Sequence, residues 1–428
     1  MMINDLVAVV IAVVVVLVLL GIGMYVYAAL GIAAIVILMI SSPKTLPGIS
    51  SAMWKSGTDF GFVSILLFVL MGSILAATPV GRRLYAMAYA IFGRVGGGLA
   101  VSTTVANAFF AAMCGSAYAA TATFGQFAYR EMRERSYDTS FASGCIVGAA
   151  SLAPLIPPSI SLIIYGCLTE LSIGKLFLGG LVPGILLATL FVGYQLIATA
   201  RNPSLGPGQT EAVSAKEKVR AVAGAFPAIL LIVVVIGSIY NGVASPSEVG
   251  ALGAVGALVL AVAYAKAVRI RELSQIFLDS IKTTGFIALL MIMGKVLALA
   301  FAAIGLPQLI ASLVHQLPVT LVIPLFFLIL FAMGFILDGA AILVLAAPIM
   351  HPVVVAMGYD PIAFGVIFVI CIQIGCFTPP VCVSCYVLQG ITKEPLFAIV
   401  RGSIPYIYLC IGVVVLLILF PQISTFLL

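Results

Sequence analysis

Apolar runs of about 20 residues recur along the chain, and each is long enough to cross the hydrocarbon core of a bilayer as a helix. Hydrophobic residues make up 63% of the 428 positions, and charged residues only 8%. The runs lack the apolar–polar alternation of a membrane β-barrel. Since every backbone polar group in lipid needs an internal partner, the sequence predicts an all-α polytopic membrane protein.

The first apolar stretch, residues 6–40, follows an acidic rather than a basic N-terminus. It is also longer than the hydrophobic core of a signal peptide. We therefore interpret it as a retained membrane segment. It is either one kinked helix or two short helices that turn near the glycines of 21–23.

Two proline pairs interrupt apolar runs that would otherwise be long enough to span: "PLIPPSI" at 154–160 and "CFTPPVC" at 376–382. A proline in a helix interior removes a backbone donor and clashes with the preceding turn, at a cost of about 3 kcal/mol. The pairs therefore predict two broken membrane helices, over 139–167 and 361–390.

The two proline pairs are 222 residues apart, and the same shift aligns other landmarks. "MGSILA" at 71–76 meets "MGKVLA" at 293–298, and Tyr137-Asp138 meets Tyr359-Asp360. The sequence thus predicts a duplicated unit. We divide the chain into N-terminal scaffold helices at 1–59, repeat 1 at 60–200, a linker with scaffold helices at 201–281, and repeat 2 at 282–428.

Two further segments, 95–130 and 318–356, each hold two apolar arms around a small or polar tip. The tips are "CGSA" at 114–117 and "LDGA" at 337–340. We predict that each segment is a re-entrant hairpin, since irregular backbone survives at membrane depth only inside protein or beside a cavity. Two plain spanning helices with a polar contact remain the alternative.

The basic residues are distributed very unevenly between the two sides of this layout. Sixteen of the 20 lysines and arginines fall in five loops on one side, which is therefore predicted to be cytoplasmic. Five crossings lead from the span at 60–78 to its counterpart at 284–305, so the two repeats should have opposite orientations. Inverted repeats of this kind are the architecture of many secondary transporters.

A proline break exposes carbonyl oxygens that can coordinate a cation, and half-helix N-termini that attract a carboxylate. In the repeat register, Ser116 at the first tip corresponds to Asp338 at the second. A carboxylate in an apolar membrane segment is by default a functional hypothesis, although Asp338 in an aqueous loop is the alternative. Oxygen-bearing groups near the breaks are those of Ser151, Pro154, Pro157, Ser159, Cys376, Thr378 and Pro379.

Other titratable residues carry weaker signals. Lys295 could pair with Asp338, face an anion or snorkel to the interface. We interpret His315 and His351 as interfacial rather than proton-carrying, because nothing pairs with them in sequence. The eight cysteines all lie in apolar segments and are expected to pack as small hydrophobes. The chain lacks HExxH, paired protease-like aspartates and an acidic magnesium cluster, so we predict no enzymatic activity and no organic cofactor.

Six stretches together form a specific pattern: "GGGLAVSTTVANAFFAAMCGSAYAATATFG" (96–125), "IPPSISLIIYG" (156–166), "SPSEVGALGA" (245–254), "LDGAAILVLAAPIMHPV" (337–353), "GYDPIAFG" (358–365) and "IGCFTPPVC" (374–382). With them the chain closely resembles the large membrane subunit of the TRAP (tripartite ATP-independent periplasmic) transporters over essentially its whole length. The resemblance implies an elevator-type, sodium-coupled importer of organic acids in the bacterial inner membrane. It also implies a small four-helix membrane subunit, expected here as a separate chain, and a periplasmic binding protein.

The resemblance places the family's ion and substrate sites at the two tips and the two breaks. This chain departs from the family with Cys382 where glycine is common, and with "CGSA" where the first tip commonly reads "SGSS". Two or more sodium ions are expected at Gly115, Ser116, Ser151, Pro154, Pro157, Asp338, Thr378 and Pro379. The substrate anion is expected at Ser116, Pro158, Ser159, Asp338 and Pro380.

The expected function is sodium-driven uptake of an organic acid such as a C4-dicarboxylate or a sialic acid. A stand-alone sodium/anion symporter of the same superfamily is one alternative, and it would need no binding protein. A membrane scaffold or receptor that moves no substrate is an alternative of another class.

Overall fold

The computed structural model describes residues 3–208, 214–265, 270–334, 336–379 and 382–428. Within these ranges the chain forms 20 α-helices and two short 3-10 turns, with no strand. The first five helices are α1 (Ile3–Gly21), α2 (Val26–Ser41), α3 (Gly48–Gly57), α4 (Gly61–Ala76) and α5 (Val80–Phe92). The next five are α6 (Gly98–Cys114), α7 (Ala117–Glu134), α8 (Thr139–Ala150), α9 (Ile160–Thr169) and α10 (Ile173–Arg201).

The second half of the chain continues in the same way. Its first helices are α11 (Ala215–Tyr240), α12 (Pro246–Ala265), α13 (Ile270–Ala303), α14 (Leu306–Val314) and α15 (Val319–Met333). They are followed by α16 (Gly339–Ala356), α17 (Pro361–Cys376), α18 (Val383–Thr392), α19 (Leu396–Leu419) and α20 (Gln422–Thr425).

Six helices of the described chain are long and apolar enough to cross a membrane: α10, α11, α12, α13, α16 and α19. The pair α3–α4, bent by 43°, makes a seventh if it is counted as one span. Several spans expose apolar stripes, such as Val255, Val259 and Val262 on α12 at 58%, 60% and 72% of their surfaces. A stripe at helical spacing that avoids the protein interior suits contact with lipid. The prediction of an all-α polytopic membrane protein is confirmed.

The N-terminal stretch forms two helices rather than one kinked helix. Gly23 lies between α1 and α2 with φ +83°, a left-handed conformation that glycine adopts without strain. The two helices pack against each other, and α2 also packs along α13. Of the two alternatives left open by the sequence, two short helices are therefore correct.

The duplication predicted from the sequence is visible in where the helices begin. Helices α7 and α16 begin 222 residues apart, as do α8 and α17. An aspartate caps each member of the second pair, because Asp138 accepts from Phe141 N and Asp360 from Ala363 N. Local sequence thus sets the same helix start twice. The opposite orientation of the two repeats in the membrane stays a prediction.

The two repeats pack on one another reciprocally. Helix α7 of the first hairpin contacts α18, and its counterpart α16 contacts α9. In the same way α8 contacts α19, and α17 contacts α10. Each hairpin therefore packs on the broken helix of the other repeat as well as on its own, and this brings the two tips into one region.

The tightest of these contacts lies between α8 and α19. A Cβ added to Gly402 would overlap Ser140 O, and one added to Gly144 would overlap Gly402 O. The two backbones meet without intervening side chains, as small residues allow in membrane helix pairs. The glycines at these positions are needed for this close approach.

Gly402→Val is therefore expected to destabilise the protein, since overpacking typically costs about 1–3 kcal/mol and here the obstacle is backbone. Gly412→Val on the same helix is the matched control, because a Cβ there would meet nothing within 4 Å. The measurement is the midpoint of thermal unfolding in detergent. Equal midpoints for the two variants would show that α8 and α19 do not meet in this way.

Candidate functional site

The first hairpin tip lies directly against the first helix break. Gly115 joins α6 to α7 with φ +58°. A Cβ added there would come within 2.7 Å of Pro158 O and 3.3 Å of Ile160 N. Ser116 follows and caps α7, its Oγ accepting from Ala119 N at 3.4 Å. Because residue 115 has no side chain, the backbone of the tip can lie directly against the backbone of the break.

The first break extends over residues 151–159, which are all buried. Helix α8 ends at Ala150, and α9 begins at Ile160 with Ser159 as its cap. Ser159 Oγ accepts from Leu162 N at 3.1 Å and donates to Pro154 O. Ser151 Oγ donates to Gly148 O at 2.6 Å. The hydroxyls of both serines therefore hold the ends of the break.

Several carbonyl oxygens of this break are left without a donor. Among the described residues, nothing donates a hydrogen bond to the carbonyl oxygens of Ala153, Ile156, Pro157 or Pro158. Prolines at 154, 157 and 158 also remove three backbone donors from the segment. A buried polar group without a partner costs free energy. These carbonyl oxygens are therefore suited to coordinating a cation.

The second tip lies against the end of α17. Asp338 caps α16, its Oδ1 accepting from Ala341 N at 3.0 Å. A Cβ added to Gly339 would come within 2.8 Å of Ile372 Cγ2 and 3.2 Å of Cys376 Sγ. Asp338 is half-buried, and no side chain of the described residues donates a hydrogen bond to its carboxylate. A carboxylate without a side-chain partner is therefore present at this tip.

The second break begins directly after Cys376, the last residue of α17. Thr378 Oγ1 donates to Ile374 O at 2.6 Å, and Thr378 O accepts from Cys382 N at 3.3 Å. Thr378 is half-buried, whereas Pro379 is exposed. Pro380, which we predicted as a substrate contact, lies outside the described residues. The contact between this break and its tip runs through Cys376, which the sequence prediction did not assign to a site.

The two tip–break pairs are neighbours. The hydroxyl of Tyr118, two residues after Ser116, lies 3.5 Å from Cys376 Sγ at the second tip. Sequence reasoning missed this residue. Its place in the first turn after the tip was the available signal, but nothing in sequence indicated its partner, which lies 258 positions away.

Lys295 does not pair with Asp338, one of the three alternatives we considered. Its Nζ donates to Leu168 O, at the end of α9, at 2.9 Å and lies 3.8 Å from Glu170 Oε1. Lys55 approaches the same carboxylate at 3.2 Å. The hydrogen bond from Lys55 is the main reason that the pKa of Glu170 is lowered, and the charge of Lys295 adds to it. Lys295 thus caps a half-helix, as a cation does at a helix C-terminus.

Lys295→Met is expected to destabilise the protein by about 1–3 kcal/mol, since it removes a hydrogen bond from a charged group that is only 22% exposed. Lys282→Met is the matched control on the same helix, because Lys282 is 70% exposed in its pair with Asp279. Because the pKa of Glu170 is lowered, its ion pairs are complete above its ordinary pKa and are lost as the pH falls through the lowered value.

The difference between the two variants in thermal unfolding should therefore stay constant from about pH 6 to pH 8. Equal unfolding midpoints for Lys295→Met and Lys282→Met would exclude the capping role.

The two histidines belong to the second repeat. His351, for which the sequence indicated no partner, contacts the Tyr165 hydroxyl through Nδ1 at 2.7 Å and so joins α16 to α9. His315 ends α14. All eight cysteines are buried free thiols, as small hydrophobic residues would be. The described residues hold no group of three or more His, Cys, Asp or Glu side chains placed to bind a metal ion.

The family model described as "Tripartite ATP-independent periplasmic transporter, DctM component" matches residues 13–423. The chain belongs to this family. As a DctM-family protein it is the large permease subunit of a TRAP transporter, and the family resemblance seen in the sequence is confirmed.

Relatives of this DctM-family permease match along nearly their whole length. The "C4-dicarboxylate TRAP transporter large permease protein DctM" of Pseudomonas aeruginosa is 31% identical over 402 residues, 92% of each chain. The "Sialic acid TRAP transporter large permease protein SiaM" of Vibrio cholerae is 29% identical over 399 residues, again 92% of each. The solved YdaH transporter of Alcanivorax borkumensis has a TM-score of 0.62 over 89% of each chain at 14% identity, which shows a shared fold.

Proposed function

We propose that this permease subunit imports an organic acid by sodium-coupled secondary transport. The observation that carries the proposal is the contact of Gly115 with Pro158, beside carbonyl oxygens that accept no hydrogen bond from the described chain. Sodium is bound by several hard oxygen ligands, and broken helices in transporters supply them. The second tip adds the carboxylate of Asp338 near the end of α17.

Each tip–break pair is proposed to hold at least one sodium ion. At the first pair the ligands come from Gly115, Ser116, Ser151, Pro154 and Pro157. The Pro154 carbonyl already accepts from Ser159, so it would be the weakest member. At the second pair the ligands are Asp338, Thr378 and Pro379.

The substrate is proposed to be an anion bound between the two tips. The first turns of α7, α9 and α16 leave amide donors, and helix N-termini favour a carboxylate there. Ser116, Pro158, Ser159 and Asp338 would surround it. Bound sodium ions would reduce the cost of placing the anion near Asp338. The substrates in the names of the two relatives, C4-dicarboxylate and sialic acid, are both carboxylates.

Transport is proposed to follow an elevator mechanism in the bacterial inner membrane. The hairpins, the broken helices and the helix that follows each broken helix, α6 to α10 and α15 to α19, form one reciprocally packed group. This group would move with its cargo against α1 to α4 and α11 to α13. A small four-helix membrane subunit and a periplasmic binding protein would complete the transporter, as the family name implies.

The test is uptake into vesicles that contain the purified chain with its small subunit, supplied with the binding protein and radiolabelled organic acids. An inward sodium gradient should drive accumulation, and an equal potassium gradient should not. Equal accumulation under both gradients would contradict sodium coupling. Full accumulation without the binding protein would favour the stand-alone symporter, and substrate binding without accumulation would favour a scaffold or receptor.

A further inference from the structure

Tyr118 belongs to the first hairpin but its polar end lies at the second. The residue stands in the first turn of α7, two positions after the cap residue Ser116. Its hydroxyl lies 3.5 Å from Cys376 Sγ, at the end of α17. Its surroundings also include the backbone of Gly339 and the carboxylate of Asp338. The side chain therefore crosses from one proposed ion site to the other.

The position of this hydroxyl depends on both tips. The backbone at Gly115 and Ser116 sets the position of the Tyr118 Cα, and Gly115 lies against Pro158. Cys376 sets the position of the Tyr118 hydroxyl, since its sulfur also lies against the first turn of α16 at Gly339. A movement of either tip would therefore break the contact or carry the other tip with it.

The contact is made from one side only. The position equivalent to Tyr118 in the second repeat is Ala340, whose side chain has no polar atom that could contact the first repeat. A hydroxyl at membrane depth is costly without a partner, so the second site holds Tyr118 more firmly than packing alone would. The Tyr118 hydroxyl thus adds a polar contact between the two tip–break pairs to the helix packing that already joins the repeats.

We propose that Tyr118 is a positioning residue that couples the two sodium sites, so that ordering one tip favours ordering of the other. The proposal rests on the proposed function. Two sites joined in this way bind cooperatively, with a Hill coefficient above one and no greater than the number of sites. When the contact is removed, the cooperativity of sodium binding is expected to fall.

The test is equilibrium binding of radioactive sodium to the purified full chain over a range of sodium concentrations, with potassium keeping the ionic strength constant. The wild-type curve should be sigmoidal. Tyr118→Phe removes only the hydroxyl and should lower the Hill coefficient toward one. Tyr129→Phe is the matched control on the same helix, because its hydroxyl donates to Glu394 at 2.7 Å, away from both tips. Cys376→Ala, which removes the partner, should reproduce the effect of Tyr118→Phe.

A lower Hill coefficient in Tyr118→Phe and Cys376→Ala, but not in Tyr129→Phe, supports the coupling role. An unchanged coefficient in Tyr118→Phe, or an equal loss in Tyr129→Phe, overturns it. A wild-type curve that is already non-cooperative overturns the coupling role but leaves sodium binding intact. A wild type that binds no sodium overturns the proposed function as well.

Discussion

Asp338→Ala is expected to abolish sodium-dependent uptake, because it removes the charged oxygen at the second tip. The same change removes the cap of α16, which costs about 1 kcal/mol of stability. Asp338→Asn separates the two effects, since the amide oxygen can still accept from Ala341 N. A charge-assisted contact is worth about 1.5–3 kcal/mol, so half-maximal uptake by the Asp338→Asn variant should need about 10- to 100-fold more sodium.

The matched control for this prediction is Asp360→Asn. Asp360 caps α17 as Asp338 caps α16, accepting from Ile362 N and Ala363 N at 2.9 and 2.8 Å. It lies at the far end of α17 from Cys376. The sodium dependence of initial uptake rates should be normal in Asp360→Asn. Unchanged sodium dependence in both Asp338 variants would remove Asp338 from the mechanism.

Gly115→Ala is expected to reduce sodium-dependent uptake to near background. The new methyl group would lie 2.7 Å from Pro158 O, so the tip would have to leave the break. The left-handed backbone at φ +58° would add about 1–2 kcal/mol of strain. Uptake rates and the thermal midpoint, each measured with and without sodium, would report the effect.

Gly358→Ala provides the control for backbone strain alone. Gly358 also has a left-handed backbone, at φ +80°, but an added Cβ would meet nothing within 4 Å. This variant should lose a little stability and keep its sodium-dependent uptake. If Gly115→Ala transports as well as Gly358→Ala, the first tip and the first break do not act together.

The sequence predicted the repeated helices well because local chemistry sets their ends. Asp138 and Asp360 cap equivalent helices, and Pro157, Pro158 and Pro379 lie in breaks between two helices. The first break is longer than its proline pair, since Pro154 and the cap residue Ser159 extend it to residues 151–159. Helix breaks and caps depend on near neighbours, and these can be read from the chain.

Contacts between distant side chains could not be predicted in the same way. The partner of Lys295 is a carbonyl 127 positions away, and that of Tyr118 is a thiol 258 positions away. Both depend on how the repeats pack, which hydrophobic periodicity does not encode. The repeat register indicated that Ser116 and Asp338 are equivalent, but not that a tyrosine joins their surroundings.

The most direct test of the paired sites is a count of the sodium ions bound to the purified chain, by equilibrium binding of radioactive sodium. At a sodium concentration that just saturates the wild type, we expect two or more ions per wild-type chain, with one fewer in Asp338→Asn and no change in Asp360→Asn. A wild type that binds no sodium, or an Asp338→Asn variant that binds as many ions as the wild type at that concentration, would contradict the paired sites.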